Sequence, residues 1–476
     1  MRKFSFLTMM TAGILAGTIA AQAQYRTDVP QELPKDDSAT VISLDKALEI
    51  ALSENVSVQV ADQEITRTQY AKKGTYGQLL PQIDLTGSYS RTLKKQVMYM
   101  SMSSTDEETG ETVSTSTGIE VGMDNTYSGG VTASMPLINA QLWKSIKISG
   151  LDVELAVEQA RSSRLDMVTQ VKQAYYAVLL AKEAFYVYRD VYENAVENFK
   201  STELKYNAEK ASELDYTRAK ANVANAIPDV YNSESSVILT LWQLKAVMGV
   251  DLDMNIDVEG TLDDYAETMF RDIHELDDYS LDYNTTMRQL AIQADQLAQT
   301  VRLQKYAYLP TLSLAFSHTY NAMENSFKFS EYKWTPYSYI ALSLTIPIFS
   351  GGQRYHSVKQ AQVQAKELEL NTKDTERQLK ISIRSYLNTM ETNMNTYYSA
   401  EEAVELAQKA YDISAKTYEV GKNTLTDLND AQLTLTQSEL AKSQAVYNFL
   451  VAKSSLEQIL GYDFVDEDGN TDLENM

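Results

Sequence analysis

The sequence predicts a mainly helical protein with a small β part, in which two similar halves each contain a pair of strands followed by a long antiparallel helical hairpin. Three observations support this fold class. A sequence repeat relates the halves at an offset of 212 residues, apolar residues recur every seven positions over long stretches, and four shorter stretches alternate apolar with polar residues. Seven-residue spacing is typical of packed helices, and alternation is typical of strands. We therefore expect coiled-coil hairpins joined to strands with one apolar face.

The N-terminal segment and the charge balance indicate an exported protein. Residues 1–23 contain two basic residues, an apolar stretch and a final Ala-Gln-Ala, as in a cleavable secretory signal, and residues 24–42 would follow as an extended segment. The chain has no cysteine, which excludes disulfide bonds and a lipid-modified cysteine. The net charge is −23, or −25 without the two basic residues of the signal. This charge argues against nucleic acid or an anionic membrane surface as a partner.

The internal two-fold repeat is clearest in two matching segments, YNAEKASELDYTRA at 206–219 and YEVGKNTLTDLNDA at 418–431. It recurs downstream, where LKAVMGVDL at 244–252 corresponds to LEQILGYDF at 456–464. Such periodic self-similarity predicts two copies of one structural unit. The two repeats, the linker region between them and the acidic tail are predicted at 43–249, 286–462, 250–285 and 463–476.

Two long stretches with almost no helix-breaking residues predict the outgoing arms of the hairpins. Residues 353–420 contain neither proline nor glycine, and residues 140–208 contain only Gly150. Apolar residues recur every seven positions in both stretches, in register with each other. They are Val171, Val178, Phe185, Tyr192, Phe199 and Tyr206, and then Ile383, Met390, Tyr397, Val404, Tyr411 and Tyr418.

A return helix is expected after each arm, with hairpin tips near 206–216 and 418–428. The return helices would end before Gly249 and Gly461, because glycine suits the residue that follows a helix. Pro228 lies inside the first return helix and is expected to kink it. A soluble coiled-coil scaffold would have the same helical pattern.

Four alternating segments, in pairs within 82–135 and 311–347, predict β-strands with one apolar face. Half-buried strands of an ordinary soluble sheet also alternate in this way. The long helices, however, supply no further layer to cover the apolar face, and lipid could cover it. The apolar positions are Ile83, Leu85, Gly87 and Tyr89, then Val131, Ala133 and Met135, then Leu312, Leu314 and Phe316, then Ile340, Leu342, Leu344 and Ile346.

Four strands are too few to close a barrel, and open sheet edges are not tolerated in lipid, so a membrane form would need several copies. Two copies would supply eight strands around a filled interior, and three would supply twelve with room for a passage. The segment 91–126 is polar and acidic and is expected to be a long flexible loop, with a shorter counterpart at 321–336.

The signal, the paired strands, the hairpins and a YxVGxxxxxDxxxA tip together resemble the outer-membrane efflux protein family, the TolC-like proteins. The likeness runs from SLDKALEIALSENVSVQVADQEI at 43–65 to LEQILGYDF at 456–464. The resemblance implies a homotrimer in the outer membrane of a Gram-negative-type cell, with a 12-stranded transmembrane β-barrel and an α-barrel tunnel of helical hairpins in the periplasm. It further implies a passive exit duct of a tripartite efflux or type I secretion system, working with a periplasmic adaptor protein and an inner-membrane pump.

The resemblance also implies a charged ring at the periplasmic entrance. Asp427 and Asp430 match the family's entrance aspartates, and their spacing of three places them on one helix face. An alternative is that both simply favour the start of the return helix through its dipole. Arg218 occupies the first-repeat position equivalent to Asp430, so the ring is expected from the second repeat only.

Other tip residues acquire expected roles from the same resemblance. Tyr418 matches a gating tyrosine, and Asp215 matches the aspartate to which that tyrosine can bond. Asn423 stands where the family has an arginine, beside Lys422, and these four residues would form the gate. The residues expected to contact the adaptor at the helix tips are Val420, Gly421, Ala208, Glu209 and Lys210.

No catalytic site, metal or cofactor is expected. The histidines His274, His318 and His356 are far apart, and no histidine or cysteine grouping has metal-ligand spacing. Besides an export duct, a periplasmic coiled-coil structural or adaptor protein without a pore and a secreted adhesin-like rod remain as alternatives. The paired alternating strands favour the duct, because the other two classes need no lipid-facing band.

Overall fold

The computed structural model describes residues 29–33, 40–105, 112–266, 269 and 279–461. The predicted signal and acidic tail lie outside the described residues. The elements, in chain order, are β1 (Thr40–Ile42), α1 (Leu44–Glu54), α2 (Val56–Gly77), β2 (Gln82–Arg91), β3 (Gln96–Thr105), β4 (Thr112–Val121), β5 (Asn125–Ile138), α3 (Ala140–Asn207), α4 (Glu213–Met248), β6 (Ile256–Val258), α5 (Leu262–Ala266), α6 (Thr285–Tyr306), β7 (Thr311–Glu324), β8 (Thr335–Thr345), α7 (Gln353–Glu419) and α8 (Leu425–Leu460).

The long helices match the predicted arms and return helices closely. Helices α3 and α7 have 68 and 67 residues, and α4 and α8 have 36 residues each. Pro228 lies inside α4, which continues through it to Met248. Of the helices in the described part of the chain, none combines the length and the apolar character that crossing a bilayer would require.

Contacts divide the chain into two compact units. The tip unit contains Ala181–Thr240 and Ala400–Ala441, with both helical turns. The sheet unit contains Thr40–Leu180, Leu241–Ser399 and the chain from Lys442 onward.

The core of the sheet unit is built from the predicted heptad positions. Val171, Val178 and Met390 have no exposed surface, and they pack in one cluster with Phe449 from α8. Tyr175, which is also buried there, donates its hydroxyl proton to the carbonyl oxygen of Glu259 at 2.7 Å. Heptad periodicity therefore predicted the core positions Val171, Val178 and Met390 correctly.

The four predicted strands form one antiparallel sheet in the order β2-β5-β7-β8. The register aligns Ile83, Ala133, Phe316 and Ile340 in a single row across the sheet. Residues directly opposite each other point to the same face, so the four apolar alternations share one face. That face is open in the single chain: Leu85 is 82% exposed and Ile340 is 74% exposed.

The segment 91–126, expected to be a flexible loop, instead contains an antiparallel β-hairpin. Strands β3 and β4 pair over ten positions each and form a sheet of their own. Lys95 forms an ion pair with Asp124 at 3.2 Å, and the side-chain oxygen of Asn325 accepts from both the Lys95 amine and the Asp124 backbone N–H. The Val, Thr, Tyr and Ile residues of these two segments favour strands even where the composition is polar, which explains the difference.

The helices that precede each strand pair are attached to the return helices in the same way in both halves. Asn55 starts α2 and donates from its side-chain amide to the carbonyl of Val247 at 2.7 Å; Asn284 starts α6 and donates to Ile459 at 2.6 Å. A close approach between two backbone segments explains why a glycine follows the second return helix. A Cβ on Gly461 would lie 2.1 Å from the carbonyl oxygen of the residue before Asn284.

Candidate functional site: the helical hairpin tips

The second tip, between α7 and α8, begins with a Schellman motif. Gly421 has a φ of +76°, its N–H donates to the carbonyl of Tyr418 at 3.0 Å, and the N–H of Lys422 donates to Thr417 at 2.9 Å. These bonds satisfy two carbonyls at the end of α7 that have no intrahelical partner. A glycine at this position avoids the strain of the left-handed conformation.

The second tip ends with a capping box at the start of α8. The backbone N–H and the hydroxyl of Thr424 both donate to the carboxylate of Asp427, and the N–H of Asp427 donates to the Thr424 hydroxyl at 3.2 Å. These hydrogen bonds lower the pKa of Asp427. Asp427 therefore performs the structural role that the helix-start alternative assigns to it.

The first tip, between α3 and α4, repeats the Schellman motif with a different residue at its centre. Glu209, the counterpart of Gly421, has a φ of +57°. The N–H of Lys210 donates to the carbonyl of Lys205 at 2.7 Å, as Lys422 does in the second tip. Among the described residues, Glu209 is the one non-glycine residue with a positive φ. The same turn is thus formed with glycine in one tip and under strain in the other.

The capping box is also repeated in the first tip. The hydroxyl of Ser212 donates to the carboxylate of Asp215 at 2.7 Å, and the N–H of Asp215 donates to the Ser212 hydroxyl at 3.1 Å. The aspartate shared by the two tip sequences is therefore the third residue of each return helix, where it completes the capping box with Ser212 or Thr424.

Tyr418 connects the two hairpins. It is 8% exposed, and its hydroxyl lies 2.6 Å from that of Thr202. Thr202 donates its single proton to the carbonyl of Asn198, so Tyr418 must donate to Thr202. The Lys205 amine donates to the Tyr418 carbonyl at 2.8 Å and lies 4.3 Å from its ring centre. In this conformation Tyr418 thus bonds to Thr202, whereas the resemblance implied Asp215, whose carboxylate accepts from its own capping box.

Asn423 links the second tip to its own arm without a charge. Its side-chain amide donates to the hydroxyl of Ser414 at 2.7 Å, and its side-chain oxygen accepts from the N–H of Thr424 at 2.9 Å. The neighbouring Lys422 side chain is exposed. In this conformation Asn423 therefore forms hydrogen bonds with neutral groups, at the position where the family pattern has an arginine.

Asp430 differs from Asp427, although both are exposed in the first two turns of α8. No hydrogen bond or ion pair of the Asp430 carboxylate is found among the described residues, and its backbone carbonyl accepts from Thr434. The equivalent first-repeat residue, Arg218, is also exposed. Of the two aspartates, Asp427 therefore takes part in the capping box of α8, and the carboxylate of Asp430 does not.

The residues expected to contact an adaptor are all exposed in the single chain. Ala208, Glu209 and Lys210 form the surface of the first turn, and Val420 and Gly421 form that of the second. Val420 is 66% exposed, so the second turn presents an aliphatic side chain at its surface.

The predicted tip residues are thus close in the fold, but some of their partners could not be predicted. Thr202, Lys205 and Ser414 hold Tyr418 and Asn423, and no local sequence signal marks them. Ser212 and Thr424 could have been found, because each lies three residues before an aspartate, as in a capping box.

The tips also contain a cavity of about 260 Å³, whose lining combines apolar residues with several amide side chains. It lies within the tip unit among α3, α4 and α8. Its polar lining includes Asn198, Asn222, Asn225, Asn429 and Gln432. Over the described part of the chain, no three His, Cys, Asp or Glu residues are grouped as metal ligands would be.

Known proteins resemble this chain in sequence and in fold. The outer membrane protein TolC of Vibrio cholerae serotype O1 is 21% identical over 286 residues, which is 60% of each chain. The chain thus spans about three fifths of the length of this curated relative. The CmeC outer membrane channel of Campylobacter jejuni has a TM-score of 0.67 and 19% identity, covering 88% of this chain and 85% of CmeC. VceC of Vibrio cholerae has a TM-score of 0.66 and 16% identity, covering 88% and 96%.

These likenesses to solved structures concern the fold, since the identities are low. The family is shown by sequence: the model of the family described as outer membrane efflux protein matches residues 47–250 and 278–462. The two matched regions include both strand pairs and both tips, and they account for most of the chain. This chain therefore belongs to the outer membrane efflux protein family.

Proposed function

We propose that this chain is one subunit of a homotrimeric exit duct of the outer membrane, which receives cargo from an inner-membrane pump through a periplasmic adaptor. The duct performs no chemistry of its own. It would serve a tripartite efflux or type I secretion system as a passive channel.

The observation that carries this proposal is the exposed apolar face of a four-stranded sheet whose outer strands, β2 and β8, each pair on one side only. Lipid covers such a face, and a lipid-embedded sheet must have no open edge. Three copies joined β2 to β8 supply twelve strands and a passage. A periplasmic protein without a pore would leave Leu85 and Ile340 in water.

The hairpin tips are proposed as the periplasmic entrance. Asp427 and Asp430 from three copies would place six carboxylates around one axis and favour cations there. Tyr418, Asp215, Lys422 and Asn423 would hold the tips together in the closed state. The adaptor would bind the exposed tip residues, which are Val420, Gly421, Ala208, Glu209 and Lys210.

Single-channel conductance in a planar bilayer tests the proposal. The purified wild-type protein should conduct, and under a salt gradient its reversal potential should indicate a preference for cations. Asp427→Asn with Asp430→Asn should move the reversal potential towards zero, because two charges per subunit are lost. Asparagine is used since its side-chain oxygen can still accept from Thr424 at the start of α8.

Asp215→Asn is the matched control, because it changes the equivalent cap of the first tip. It should alter the reversal potential less than the double variant does. Recovery of the mature protein as a monomer from the soluble periplasmic fraction, without detergent, would contradict the duct.

A further inference from the structure

The two tips have the same backbone but different surfaces. Residues 203–215 of the first tip contain four acidic and two basic residues, whereas the equivalent residues 415–427 of the second contain two of each. Lys205, one of the two basic residues of the first tip, is already bound to the carbonyl of Tyr418. Around the turn itself the first tip therefore has a net charge of −2 and the second tip has none, and Arg218 and Asp430 cancel this difference three residues later in the return helices.

Apolar exposure also distinguishes the tips. Leu204 is 71% exposed on the last turns of α3, and Leu214 is 57% exposed at the start of α4. The equivalent positions of the second tip are Lys416 and Thr426. Exposed leucines therefore flank the first turn, whereas the exposed aliphatic side chain of the second turn is Val420.

Glu209 lies in this turn, in a conformation that disfavours any residue other than glycine. Its counterpart Gly421 makes the equivalent hydrogen bonds without that strain. The exposed Glu209 carboxylate forms no ion pair with another described residue, so no contact inside the chain compensates for the strain. Strained residues that persist in this way are concentrated at functional sites.

We infer that the first tip, with Glu209 between Leu204 and Leu214, docks a protein segment that presents a lysine or arginine among apolar side chains. The carboxylate of Glu209 accepts charge-assisted hydrogen bonds from that cation, and the leucines cover its apolar neighbours. The inference rests on the proposed function, in which the adaptor is the partner. It assigns the selective contact to the first tip and leaves the second tip a supporting role.

The test measures binding of the soluble periplasmic domain of the cell's own adaptor protein to the full-length channel in detergent. Glu209→Gln should weaken Kd about tenfold, because a charged hydrogen bond becomes a neutral one. Glu209→Gly should weaken Kd at least as much while raising the melting temperature, since it removes the strain. If Glu209 had a purely structural role, Glu209→Gly would also raise the melting temperature, but Kd would stay unchanged or improve.

Two controls address charge and position. Lys416→Gln, which removes an exposed charge of the second tip outside the proposed contact, should leave Kd unchanged, and Gly421→Glu should lower the melting temperature without improving binding. Wild-type affinity of Glu209→Gln, in protein that conducts normally in a bilayer, would overturn the inference and leave the duct standing. If the wild-type protein did not conduct, the proposed duct function would be contradicted, and this inference would fail with it.

Discussion

At the scale of single residues, equivalent positions of the repeat have acquired different environments. Tyr418 is buried and donates to Thr202 of the other hairpin. Its counterpart Tyr206 is 37% exposed and stacks on Tyr216 with ring centres 4.9 Å apart. One tyrosine therefore joins the two hairpins, and the other belongs to the surface of its own tip.

Tyr418→Phe should loosen the contact between the hairpins without changing its shape. The Thr202 hydroxyl loses its donor, and a buried hydrogen bond of this kind contributes about 1 kcal/mol. Local opening should then increase about fivefold, measured as amide hydrogen exchange at residues 416–421. Tyr206→Phe is the control and should have little effect on exchange, because the ring that stacks on Tyr216 is retained. Equal exchange in both variants would show that the Tyr418 hydroxyl does not hold the tips.

At the scale of elements, each hairpin tip is specified by its caps. A Schellman motif ends the arm, and a capping box starts the return helix, so both ends of each turn are defined within a few residues. The return helices accordingly begin at Glu213 and Leu425, one residue after Ser212 and Thr424. This placement explains why the tip sequence is repeated although the tip surfaces differ.

The cap of α8 should depend on pH. Hydrogen bonds from Thr424 lower the pKa of Asp427 from its ordinary value of 3.8, so the ionised carboxylate stabilises the folded tip. This stabilisation is fully present above pH 3.8 and is lost as the pH falls through the lower, folded pKa. The exchange protection of the Thr424 amide, corrected for intrinsic rate, should decrease in that acidic range. In Asp427→Asn the protection should no longer follow this titration, and an unchanged titration would contradict the cap.

The strands and the arms were predictable because their periodicity extends over many residues. The hairpin of β3 and β4 was not recognised, because its polar, acidic composition was interpreted as a loop. Its root is held by Lys95, Asp124 and Asn325, which lie in three separate segments of the chain. No local pattern identifies such a cluster in advance.

At the scale of the whole molecule, the apolar sheet face distinguishes the hypothesis of a membrane duct from that of a periplasmic protein without a pore. Leu85 and Thr86 are neighbours in β2 and lie on opposite faces, with Leu85 in the apolar set. They therefore offer a pair of matched positions, one on the proposed lipid side and one on the proposed lumen side.

Leu85→Arg should impair assembly, whereas Thr86→Arg should be tolerated. An arginine on the lipid face costs about 2–4 kcal/mol near the bilayer centre, and the lumen face is wet. The measurement is the fraction of protein recovered from the outer membrane as a heat-modifiable oligomer on gels. Equal recovery of the two variants would argue that this face does not meet lipid.

The sequence by itself determined the helical arms, the four strands, their apolar positions and the membership of the family, because repeats and periodicities are local properties that survive without a structure. The tertiary structure decided which tip residues meet. It paired Tyr418 with Thr202 and placed Glu209 under strain. These contacts join residues far apart in the chain or depend on backbone angles, and neither is encoded in a short sequence pattern.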